Sequence, residues 1–104
     1  MTATSTSVTN ARAAAEAAFE KLATSVTVID VSERLAFTDI FVVASGETSR
    51  QVRAIVDAID EAMHKQGVER QRREGYEGEA RWILADYGDI IIHVQQDEDR
   101  EFYA

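Results

Sequence analysis

The side chains with most chemistry to offer in this sequence are three aspartates and two histidines. Asp86 and Asp89 flank Tyr87-Gly88 inside "WILADYGDIIIHV", residues 82–94, and Asp39 stands further back in "FTDIFVVA". Carboxylates that converge can hold magnesium, which commonly takes one or two of them together with substrate phosphates. The same aspartates can be polar punctuation around a hairpin turn, or the rim of a docking surface. The metal reading lacks a phosphate grip. No G-x-x-x-x-G-K-[ST] occurs, and Ser45-Gly46-Glu47 puts an acid where a phosphate needs donors. His64 and His93 leave little scope for zinc, because the chain has no cysteine to join them. Covalent triad chemistry has as little to build on: "VVASGE" around Ser45 is not G-x-S-x-G, and only His93 lies near the candidate surface.

The elements that must position these residues belong to one domain, since 104 residues suit a single core. Residues 1–7 are small and polar and read as a disordered tail, leaving residues 8–104 as the folded domain. Thr9 or Asn10 can cap a first helix, "ARAAAEAAFEKLA", with Ala15, Ala18, Phe19 and Leu22 on one face. "VTVIDV", 26–31, and "FTDIFVVA", 37–44, are strands. The second is apolar on both faces from Ile40 to Ala44, which places it inside a sheet.

After Ser45-Gly46-Glu47 comes the clearest helix. Thr48 and Gln51 form a T-x-x-Q capping box. Val52, Ile55, Val56, Ile59 and Met63 make a buried stripe, and Gly67 is the natural stop beyond His64 and Lys65. The polar stretch 68–79 has room for an edge strand. Residues 82–94 then form a hairpin around a two-residue Tyr87-Gly88 loop. That register sets Asp86 against Asp89, Leu84 against Ile91, and Trp82 against His93. "REFYA" begins a last helix that the chain end cuts short. The order predicts an α/β domain with a mixed sheet flanked by helices.

Charge narrows the partners. Nineteen acids against 11 bases give −8, which opposes a general grip on nucleic acid and suits either solubility or a basic protein partner. Arg70, Arg72 and Arg73 are the one basic cluster, either a solvated loop or a rim that touches phosphate. No apolar run is long enough to span a membrane and "MTATSTS" is no signal peptide, so a cytoplasmic location is expected. One hairpin face carries Trp82, Leu84 and Ile91 within a frame of Asp86, Asp89 and His93. An aromatic centre with an acidic rim suits an interface, although a helix covering it would make the same face core.

Several separated motifs occur in order: T-D-x-F-V, S-G-x-x-S-R-Q, an E-G pair, W-x-x-x-D-Y-G-D-x-x-x-H, and R-x-F-Y. From about residue 10 onward the chain resembles the ribosomal silencing factor family (RsfS, also called Iojap). The resemblance implies a nucleotidyltransferase-like fold without catalysis or cofactor, and a translation repressor acting when nutrients are scarce. It implies binding to the large ribosomal subunit through its fourteenth protein, a steric block to subunit joining, and a homodimer when free. Direct contact with nucleic acid would be slight. Carried over by motif, Trp82, Asp86 and Tyr87 lie in or beside the docking surface, with Thr38 and Asp39 as further candidates. Family chains continue past R-x-F-Y with L-E-x-x-W, whereas this one stops at Ala104. The rival reading is a metal-dependent nucleotidyltransferase-like enzyme using Asp39, Asp86 and Asp89.

Overall fold

The computed structural model describes residues 3–98. Two helices and five strands follow in the order α1 (Ser5–Glu20), β1 (Ser25–Asp30), β2 (Ile40–Gly46), α2 (Ser49–Lys65), β3 (Arg72–Glu74), β4 (Trp82–Asp86) and β5 (Ile90–Gln96). The strands form one mixed sheet, ordered β1-β2-β5-β4-β3. Only β2 and β5 run parallel. The expected α/β architecture is therefore present.

α2 follows from its sequence residue by residue. Thr48 accepts the Gln51 N–H at 3.1 Å, as its cap position requires. The Gln51 amide oxygen reaches back to the Glu47 N–H, one residue beyond the usual capping-box target. Val52, Ile55, Val56, Ile59 and Met63 are all buried. At the far end Gly67 adopts φ +78°, which lets its N–H reach His64 O and lets the Val68 N–H reach Met63 O. This is the paired closure that satisfies the last carbonyls of a helix.

α1 departs from its sequence pattern. It starts at Ser5 with Thr4 as cap, so Ser5–Ser7 form its first turn rather than part of a disordered tail. Thr9 and Asn10 lie inside it. Its buried face is Ser7, Ala11, Ala14, Ala17 and Ala18, while Phe19 and Leu22 are exposed. Alanines occur all around this helix, so bulk at Phe19 and Leu22 was the only periodic signal, and it pointed the wrong way. The small face lets α1 lie close against α2 and the sheet. Leu22 then takes a left-handed φ of 61° to end the helix, a position that ordinarily selects glycine.

The second strand begins at Ile40, three residues later than expected. The Asp39 side chain is drawn to the start of α1, accepting from the Thr4 N–H at 3.2 Å and the Ser7 hydroxyl at 2.9 Å. Meanwhile the Asp39 and Ile40 N–H groups both donate to the Asp89 carbonyl, which ties this segment to the hairpin tip.

Both helices cover the same side of the sheet. Ile40, Val42, Ala44, Ile83, Ala85, Ile90, Ile92 and Val94 join the helix residues in one core cluster, each at most 3% exposed. These strand positions are two apart, as one face of a pleated sheet demands. The helix expected at "REFYA" lies outside the described residues.

Candidate functional site

The other side of the sheet carries no helix among the described residues. Its middle row sets Leu84 beside His93 and His93 beside Val43. Around that row stand Trp82, Phe41 and Ile91. Ile91, paired with Phe41 and Asp86, is 8% exposed, while Trp82 remains 42% exposed. The indole Nε1–H donates to His93 Nδ1 at 3.2 Å, and the His93 ring meets Phe41 edge-on with centroids 5.0 Å apart. Burial holds the His93 pKa below the usual imidazole value, so the ring is neutral near pH 7.

The hairpin register differs from the expected one. Asp86 pairs with Ile91, Leu84 with His93 and Trp82 with Gln95. The turn is Gly88-Asp89, closed by Tyr87 N–H to Ile90 O, with Gly88 at φ +87°. Glycine at the first central position with a positive φ fits the twist of a two-residue hairpin loop. The pairing has slipped by two residues, an even number, so the strand side chains from Trp82 to Asp86 keep their predicted faces. Asp86 and Asp89 no longer oppose each other. Asp86 instead accepts the Gly88 N–H at 2.8 Å and faces the Arg72 guanidinium at 3.5 Å.

Trp82, Leu84 and Asp86 share the open face, and Asp89 is exposed at its end in the turn. Tyr87 departs from the expectation. It has the parity of Ile83 and Ala85 and turns under the helices, 5% exposed, with its hydroxyl donating to Asp60 at 2.8 Å. Burial first, and then the Asp60 carboxylate, push its ionisation far above the usual phenol range. Parity along β4 was the signal that assigns Tyr87 to the core. Thr38 is also buried, at 3% exposure, and its hydroxyl has no hydrogen-bond partner among the described residues. Asp39 is engaged at the α1 cap. Phe41 was not singled out from the sequence, because the parallel pairing that carries it next to His93 leaves no mark in residue order.

The three carboxylates of the rival reading are thus directed to a helix start, an arginine and solvent. No group of three His, Cys, Asp or Glu side chains among the described residues is placed to hold a metal ion. The basic cluster is divided as well. Arg70 pairs with Asp60 at 3.3 Å, Arg72 reaches Asp86 and Glu74, and Arg73 stacks 3.7 Å from the Tyr76 ring centroid. No helix among the described residues is long and apolar enough to cross a membrane.

Comparison with known proteins decides the family. The family model described as "Ribosomal silencing factor during starvation" matches residues 4–104. The chain belongs to the ribosomal silencing factor family. Among relatives, the ribosomal silencing factor RsfS of Halalkalibacterium halodurans is 34% identical over 86% of this chain and 76% of its own length. That of Bacillus subtilis is 32% identical over 86% and 75%. A crystal structure of a Chromobacterium violaceum protein superposes with a TM-score of 0.86 at 27% identity, covering 91% of this chain and 78% of that one. One from Bacillus halodurans gives 0.79 at 34% identity, covering 88% and 85%. Neither structure is described as a nucleotidyltransferase, so that part of the expected fold rests on the resemblance alone.

Proposed function

We propose that this chain is a non-catalytic translation repressor of the cytoplasm. It docks on the large ribosomal subunit through that subunit's fourteenth protein, occupies the face where the small subunit joins, and so blocks joining when nutrients are limiting. The docking surface is the open sheet face, with Trp82 as anchor, Leu84 beside it, and Asp86 and Asp89 at its rim. Asp39 supports it from behind by holding the hairpin tip through its backbone bond to Asp89, and Thr38 is buried beside it. Tyr87 serves from below, by fixing the hairpin against α2. When free, the chain pairs with a second copy.

One observation carries this reading: Trp82 is 42% exposed on a sheet face that no described helix covers. Large half-buried aromatics flanked by polar groups are the usual anchors of protein interfaces. The surrounding acids and the net charge of −8 favour a basic partner, with which contact forms faster at low salt.

Sedimentation of purified large and small subunits with increasing amounts of the protein tests it. The expected result is that the protein travels with the large subunit and that joined ribosomes decline as it is added. Undiminished joining at saturating protein refutes the steric block, and failure to sediment with the large subunit refutes the docking.

A further inference from the structure

His93 sits between two aromatic rings, and the contact with one of them fixes where its proton lies. An indole nitrogen can only donate, so His93 Nδ1, 3.2 Å from Trp82 Nε1, is the unprotonated nitrogen. In the neutral ring the proton therefore sits on Nε2. Burial is the cause that keeps the ring neutral. Among the described residues Nε2 has no hydrogen-bond partner. The Nε2–H is therefore an unspent donor on the side of the sheet that no described helix covers.

Among the described residues, the groups around the ring leave that donor without a competing charge. β4 presents Trp82, Leu84 and Asp86 on this face, and β2 presents Phe41, Val43 and Ser45. Further out, β3 contributes Arg72 and Glu74. Arg72 lies 3.5 Å from Asp86 and 3.7 Å from Glu74, so these charges are directed to one another. A basic protein surface offers its side chains mainly as donors. What it can offer a second donor is a carbonyl oxygen of its main chain or of an amide.

We propose that His93 is a specificity-determining hydrogen-bond donor in the docking face: Trp82 fixes its tautomer, and Nε2–H is presented to a carbonyl oxygen of the docked protein. The inference rests on the docking reading above and names the contact that orients it. It assigns the indole two tasks, filling a partner pocket and holding the imidazole in its useful form. Protonation of the ring would set two donors against each other at the indole, so docking weakens as the imidazole charges.

The first test needs no partner. Nitrogen-15 spectra of the free protein near pH 7.5 report the tautomer directly. A protonated Nε2 with a bare Nδ1 is expected, and a protonated Nδ1 overturns the proposal. The second test is affinity for purified large subunits. His93→Phe keeps a ring but loses both hydrogen bonds, and should bind about tenfold or more weakly, the equivalent of one good hydrogen bond. His93→Gln can accept from the indole and donate outward, and should recover part of that loss. If His93→Phe does not fold, the tautomer spectrum and the His93→Gln affinity decide. His93→Gln binding as poorly as a Trp82→Ala control overturns the donor role. Native affinity in His93→Phe, with Trp82→Ala impaired, overturns this inference and leaves the docking reading standing. Native affinity in both overturns the docking reading and this inference with it.

Discussion

Alternate residues of the same strands make the two faces of this sheet, and the two faces follow different rules. Along β5, Ile90, Ile92 and Val94 point to the helices and are essentially sealed, while Ile91, His93 and Gln95 point the other way. Along β4 the contrast is Ile83 and Ala85 against Trp82, Leu84 and Asp86. The covered face is aliphatic and small, matched to two helices that approach closely through α1's alanines. The open face is aromatic and mixed, with an imidazole and carboxylates among its apolar groups. Burying those groups under a helix of this chain would demand partners for each of them. Left open, they can be satisfied by water in the free state and by another protein in the docked one. The covered face makes the fold, and the open face is the one to which the docking proposal assigns recognition.

The largest expected effect lies on the covered face. Ile92→Ala removes a side chain with no exposure from the covered face, and should destabilise the fold by about 2–5 kcal/mol in urea titration. A loss well under 1 kcal/mol would mean that this face is not the core. Tyr87→Phe comes next. It removes the hydroxyl that donates to Asp60, which keeps its Arg70 partner, and should cost about 1–2 kcal/mol. The same residue has a pH signature. Its folded-state pKa lies above that of the unfolded chain, so above pH ~10 the unfolded chain loses a proton that the native protein keeps. Stability should fall as pH rises through that range, and Tyr87→Phe should flatten the fall. An unchanged alkaline profile would remove Tyr87 from the account.

The smallest effect concerns the open face itself. Folded His93 titrates below the usual imidazole value, so below pH ~6.5 the unfolded chain takes up a proton that the native ring refuses. The stability from this source is complete above that pH and is lost as pH falls toward the folded pKa. Tryptophan proton resonances should report it, because the indole N–H loses its acceptor when the ring charges. An indole signal that does not move through the His93 titration would show that the two rings are uncoupled.

Much of this arrangement was legible in residue order wherever bulk and polarity alternate strongly. The α2 stripe, its Thr48 cap and its Gly67 stop could be read because large apolar residues stand among charges there. The open face could be read through the hairpin although the loop was placed one residue early. A two-residue slip in pairing preserves parity, so Trp82, Leu84 and Asp86 stayed together. α1 failed for the opposite reason. With alanine on every side, nothing in the sequence says which alanines are buried, and Phe19 and Leu22 misled. Tyr87 was misplaced by giving its motif more weight than its parity with Ile83 and Ala85. The β2–β5 pairing that brings Phe41 to His93 joins segments about fifty residues apart and has no local signature. Asp39's engagement with the α1 cap is equally non-local.

In the docking proposal Trp82 serves recognition rather than folding, and both quantities can be measured in one variant. Trp82→Ala should keep its secondary structure and lose little stability, roughly 1 kcal/mol, as expected for a residue 42% exposed. Its affinity for purified large ribosomal subunits should fall by about 2 kcal/mol or more, roughly thirtyfold. A folded Trp82→Ala protein that binds large subunits as tightly as the native chain would contradict the central claim.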